Sequence, residues 1–122
     1  MKFVYICTPY DGDANYNAKL QKAASKSAAM LEVVPLVPQL AFAPFMGGED
    51  KAQRQLALWL RRESLRFCKE LWVCAPEITP EMQGEIDLAT RVGMTVRNKA
   101  RDITCYFEPE PEKLAPEMEV AQ

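Results

Sequence analysis

The chain has 122 residues, 48% hydrophobic and 26% charged, with 9 prolines, 5 glycines and a formal net charge of −2. That is room for one domain with a real core and too little for two, and the ordinary apolar content excludes wholesale disorder and collagen-like repeats. No apolar run approaches the roughly 20 residues of a membrane helix. The absence of histidine excludes Ser-His-Asp and Cys-His catalysis and histidine metal sites, leaving carboxylates, Tyr, Lys, Cys and backbone dipoles for any chemistry.

Taken in order, Lys2 to Cys7 is β-branched and aromatic and predicts a strand that ends in the turn formers Thr8 to Asp13. It is too short for the core of a signal peptide, so the chain is expected to be soluble and cytoplasmic. Ala14 to Leu31 predicts a helix with a small-residue face (Ala18, Ala23, Ala24, Ala28, Leu31), capped by Asp13 or Asn15. Val33 to Val37 predicts a short strand, closed by Pro38 and placed at a sheet edge by Pro35. Ala41 to Asp50 reads as a loop around Gly47-Gly48, and Lys51 to Cys68 as a second helix with Leu56, Leu60 and Phe67 toward the core. The run Leu71 to Ala75 predicts a central strand buried on both faces. Thr79-Pro80 opens a third helix, a hydroxyl cap before a first-turn proline, and Gly93 ends it. Met94 to Arg97 and Ile103 to Phe107 complete five strands.

Five strands alternating with three helices predict an α/β domain with a mostly parallel sheet over residues 1–107. Residues 108–122 hold five glutamates and one lysine, an acidic Pro/Glu-rich tail, either flexible or docked on a neighbouring subunit. The folded part then carries +2 without a basic stripe, which gives no support for binding a nucleic acid polymer. Cys7, Cys68, Cys74 and Cys105 form no C-x-x-C pair and read as reduced, buried fillers. No metal site and no cofactor is implied, and the phosphate-loop and dinucleotide glycine patterns are missing.

In open α/β sheets, ligands sit at the carboxyl ends of the strands where the winding reverses. For strand order 2-1-3-4-5 that crevice brings together Thr8 to Asp13 and Pro76 to Glu85. Glu81 and Glu85 stack at i, i+4 on the opening turns of the third helix. Gly84 beside them costs about 1 kcal/mol relative to alanine in a helix, which points to a close approach by a ligand or backbone. A carboxylate aimed into a cleft suits a nucleophile or general base. The same pattern also fits a dipole-favouring Glu81 and a solvated Glu85, and Tyr5 equally suits core packing. Arg61, Arg62 and Arg66 read as an outer helix face.

Tyr5-Ile6-Cys7-Thr8-Pro9-Tyr10-Asp11-Gly12-Asp13 with Asn17, Val34-Pro35-Leu36-Val37-Pro38, Arg54, Cys68-Lys69-Glu70-Leu71-Trp72-Val73 and Thr79-Pro80-Glu81-Met82-Gln83-Gly84-Glu85-Ile86 together resemble the nucleoside 2-deoxyribosyltransferase-like superfamily. Within it, the likeness is greatest to one of its small uncharacterised bacterial and phage-borne domain families. The resemblance implies a flavodoxin-like (Rossmann-like) single domain with helices on both faces. It also implies N-glycosidic chemistry on nucleosides or nucleotides, by deoxyribosyl transfer or hydrolysis. Glu85 matches the nucleophile and Tyr5 the residue that orients it. Thr8, Pro9, Tyr10, Asp11, Gly12 and Asp13 match the loop lining the base and sugar pocket, with Gln39, Thr79, Met82 and Gly84 as further contacts. Asp11 stands where nucleotide-hydrolysing relatives tend to carry a base, which tilts the reading toward an uncharged ligand. Relatives assemble as dimers or larger homo-oligomers. The alternative on the same fold is a non-catalytic module that binds a nucleotide or a nucleotide signal.

Overall fold

Residues 2–46 and 50–104 are described by the computed structural model. They run β1 (Phe3–Cys7), α1 (Ala14–Met30), β2 (Val34–Leu36), α2 (Pro38–Met46), α3 (Lys51–Leu65), β3 (Glu70–Val73), α4 (Pro80–Arg91) and β4 (Thr95–Asn98). The sheet has the order β2-β1-β3-β4, and all three pairings are parallel. β2 is an edge strand, as its internal proline requires, because Pro35 has no N–H to give to a second neighbour. β3 lies between β1 and β4 and is buried along its length. Winding runs one way from β1 to β2 and the other way to β3, so the reversal falls between β1 and β3.

Local chemistry sets the helix starts. Asp13 caps α1 by accepting from the Asn15 and Tyr16 N–H groups at 3.0 and 3.1 Å. The small side chains Ala23, Ala24 and Ala28 let this helix lie close against the sheet, and all three are buried. Thr79 Oγ1 accepts from Met82 N–H at 3.3 Å, with Pro80 in the first turn where its missing N–H costs nothing. At the other end Gly93 takes φ 79°, the left-handed conformation that lets the chain leave α4 and enter β4. Along β1, alternate residues face opposite ways: Tyr5 and Cys7 point at α4, while Val4 and Ile6 enter the core on the other face.

Three expectations are corrected. The loop read from Ala41 belongs to a helix, α2, so there are four helices among the described residues instead of three. Pro38, read as closing a strand, instead opens this helix, and the run Pro38–Met46 has no polar face from which a period could be seen. Gly47 to Glu49 lie outside the described residues. The core face of α3 is also rotated: Ala57 and Leu65 are buried, whereas Leu56 and Phe67 are exposed. Finally, four strands are described instead of five. Ile103 and Thr104 lie in a helical turn, closed by Ile103 N–H to the Lys99 carbonyl at 3.2 Å, that buries the Ile103 side chain. Asn98 favours this turn by accepting from Ala100 N–H at 3.0 Å. Cys105 to Phe107 and the acidic tail lie outside the described residues. Among the described residues no helix is long and apolar enough to cross a membrane.

A buried carboxylate ties the sheet together at the end of β3 opposite the crevice. Glu70 accepts from Lys2 Nζ at 2.6 Å, Trp72 Nε1 at 2.9 Å and Arg97 Nε at 2.9 Å. Burial alone would raise its titration, but the donors outweigh burial and hold the carboxyl at about 2. Because the folded value lies below the ordinary 4.5, this stabilisation is present above about 4.5 and disappears as pH falls toward 2. The Lys2 and Arg97 heads are half exposed and can return to water, so the Trp72 N–H carries most of the penalty. Glu70→Ala is therefore expected to cost about 1–3 kcal/mol at neutral pH. Urea unfolding across pH checks it: the gap between wild type and variant should close as pH falls through that window.

Candidate functional site

β1 and α4 build the centre of the site. Tyr5 is fully buried, and its hydroxyl donates to Glu85 Oε2. The Cys7 thiol, two residues along the same strand face, lies 3.5 Å from Glu85 Oε1 and 3.9 Å from the Met82 carbonyl. One carboxylate oxygen is thus held by a strong donor and the other by a weak one. Glu85 is only 8% exposed, yet it borders a cavity of about 250 Å³ between α3 and α4, lined also by Tyr10, Leu58, Arg61, Leu65, Gly84 and Leu88. A β-carbon on Gly84 would meet nothing within 4 Å, so the glycine borders open space instead of making room for neighbouring backbone.

The electrostatics follow from this burial. Loss of water raises Glu85 above the usual carboxylate range, and the influence of Tyr10, Tyr5, Cys7 and Arg61 pulls the other way without overcoming it. Burial and the nearby Glu85 charge push the hydroxyls of Tyr5 and Tyr10 and the thiol of Cys7 far up, so all three stay protonated as donors. Arg61 lies over the Tyr10 ring, 3.9 Å from its centroid. The Tyr10 hydroxyl is buried and makes no hydrogen bond with the described residues.

The other residues singled out in the sequence are divided. Pro9, Asp11, Asp13 and Thr79 line a second, more open groove of about 350 Å³ with Tyr16, Asn17, Ala75, Pro76 and Glu77. This groove lies at the carboxyl ends of β1 and β3. Thr8 is fully buried and lines neither space; its hydroxyl accepts from Gln21 Nε2 at 3.3 Å and its carbonyl from Gln39 Nε2 at 3.4 Å. Gln39 is thereby tied to the loop, while its Oε1 is buried without a partner. Gly12, at φ 94°, supplies the left-handed turn that carries the loop into the Asp13 cap. Met82, in the first turn of α4, is fully buried and lines neither space.

A scan against family models matches residues 2–99 to the family described as "Domain of unknown function (DUF7768)". The chain belongs to this family. Among solved structures, this family member is similar to the 2-deoxyribosyltransferase of the psychrotolerant bacterium Bacillus psychrosaccharolyticus, with a TM-score of 0.67 at 12% identity over 79% of this chain and 70% of that one. It is also similar to the 2-deoxyribosyltransferase of Leishmania mexicana, with a TM-score of 0.59 at 16% identity over 80% of this chain. It spans 63% of the latter, under two thirds of its length. At these identities the likeness shows a shared fold. No curated protein matches the chain.

Two participants escaped the sequence reading. Arg61, assigned to an outer helix face, lines the cavity and covers Tyr10. Cys7, assigned as a filler, sits against the Glu85 carboxylate. The signal for Arg61 was present in the spacing Leu58, Arg61, Leu65, one face of α3 at i, i+3, i+7. A core face on Leu56, Leu60 and Phe67 places Arg61 outside, whereas the buried Ala57 and Leu65 turn it toward the cavity. Nothing in the sequence separates Cys7 from a buried filler, because its role depends on a contact across more than seventy residues.

Proposed function

We propose that the protein cleaves the N-glycosidic bond of a deoxyribonucleoside or its nucleotide, with Glu85 as nucleophile and Tyr5 as its orienting partner. One observation carries this reading: a buried carboxylate, gripped at one oxygen by a strand tyrosine, borders an open cavity. The fold shared with two 2-deoxyribosyltransferases supports it. Departure of the base leaves positive charge on the sugar ring, and a carboxylate already placed beside it stabilises that charge directly. Glu85 then forms a bond to the anomeric carbon as the carbon–nitrogen bond breaks, the electron pair leaving with the base. A second base or water attacks the same carbon, the ester bond breaks, and the carboxylate is restored with overall retention. The groove beside Asp11, Asp13 and Thr79 holds the remainder of the substrate.

The test is incubation of the protein with a panel of deoxynucleosides and deoxynucleotides, with and without acceptor bases. Base release or exchange is expected, and brief acid quenching followed by peptide mass analysis should find a deoxyribosyl adduct on the peptide containing Glu85. Ligand-dependent melting shifts with no turnover across the panel would instead favour the binding module.

A further inference from the structure

We infer that Arg61 is a positioning residue of this site: stacked on Tyr10, it fixes the aromatic wall of the cavity and sets a positive charge against the Glu85 carboxylate. The inference starts from geometry. The guanidinium lies 3.9 Å from the centroid of the Tyr10 ring, well inside the reach of a cation–π contact. Tyr10 and Arg61 line the same cavity as Glu85. The Tyr10 hydroxyl is buried without a hydrogen-bond partner among the described residues. No hydrogen bond therefore fixes the ring, and the arginine stacked on it does so from α3.

The charged and titratable groups around Glu85 come from every element packed against it. β1 contributes Tyr5 and Cys7, the following loop Tyr10, α3 Arg61 and Arg62, and α4 itself Glu81 one turn earlier. The two hydroxyls and the thiol are neutral, and Glu81 brings no positive charge. The arginines therefore supply the positive charge in the cavity wall. Arg62 is exposed and screened by water, whereas Arg61 is half-buried and held on a ring. The remaining wall is Leu58, Leu65 and Leu88, which offers a carboxylate nothing. Arg61 opposes the burial that raises Glu85, and so favours the ionised form.

The effect on turnover rests on Glu85 being the nucleophile; the effect on its ionisation does not. The experiment is therefore read first on the free protein. With ¹³C-carboxyl-labelled glutamate, the Glu85 resonance is assigned by its loss in Glu85→Gln, then titrated in wild type, Arg61→Gln, Arg61→Lys and Arg66→Gln. Arg66 points outward toward Glu63 and controls for loss of a distant charge. Arg61→Gln is expected to move the Glu85 midpoint upward. Arg61→Lys, which keeps the charge without the planar stack, should fall between, and Arg66→Gln should leave the midpoint in place. An Arg61→Gln midpoint no higher than that of Arg66→Gln overturns the inference, whether or not the enzyme turns over. In the turnover assay, the acidic limb should move with the midpoint. Absence of turnover in wild type would overturn the proposed function while the titration still decides the role of Arg61.

Discussion

Replacing Glu85 by glutamine is expected to slow base release by on the order of 10³-fold or more, the scale seen when a nucleophile is removed from a working catalytic unit. Glutamine keeps the shape and can still accept from Tyr5, so the cavity and its walls should persist. What is lost is the charge that meets the developing cation and the oxygen that forms the glycosyl ester. Initial rates of base release, with wild type and variant under identical conditions, check this directly. Near-equal rates would remove Glu85 from the chemistry.

The same variant separates function from folding. Burial raises the Glu85 carboxyl in the folded state above its ordinary value of 4.5, so the folded protein binds this proton more tightly than the unfolded chain. That contribution to stability is fully present below about 4.5 and is lost as pH rises through the raised folded value. Glu85→Gln lacks the titration, and its stability relative to wild type should improve as pH climbs through that window. A site residue kept at a cost to folding is the sign of selection for chemistry. Parallel stability curves for the two proteins would mean that Glu85 is not desolvated in solution.

How much of this was legible beforehand follows from the range of the forces involved. The Thr79-Pro80 start of α4, the Asp13 cap of α1 and the edge position of β2 are set by residues within a few positions of one another, and each could be read locally. β3 was visible because a strand covered on both faces must be apolar throughout. α2 was not, because an apolar helix that opens with proline has no polar stripe to mark its period. Ile103 misled for a related reason: its burial is real, but it is buried from a turn and not from a strand. The Glu85 carboxylate could be nominated from its place on α4. Tyr5 could be paired with it only through the family resemblance, and Cys7 and Arg61 not at all, since Tyr5 and Cys7 reach it from β1 and Arg61 reaches the cavity from a helix whose core face differs from the one its leucines suggest.

The second large effect is expected from Tyr5→Phe, which removes one oxygen atom from a fully buried ring. The hydroxyl donates to Glu85 Oε2, and a hydrogen bond to a charged group is worth about 1.5–3 kcal/mol. If that interaction is made to the reacting carboxylate, its loss should slow base release by roughly 10- to 100-fold. The sign of the pH effect is fixed by the chemistry. The nucleophile acts as a carboxylate, so the rate rises with pH through the Glu85 titration, and the Tyr5 donor favours the ionised form. Without it, the acidic limb of kcat/KM should move to higher pH, whereas a tyrosine that merely fills the core would lower stability and leave the limb where it is. Tyr10→Phe should move the limb in the same direction, since Tyr10 also favours the ionised form of Glu85. A Tyr5→Phe enzyme with an unshifted limb but a lower plateau would show that the tyrosine aims the carboxylate without tuning its charge. Equal limbs and equal plateaus would leave Tyr5 as packing alone.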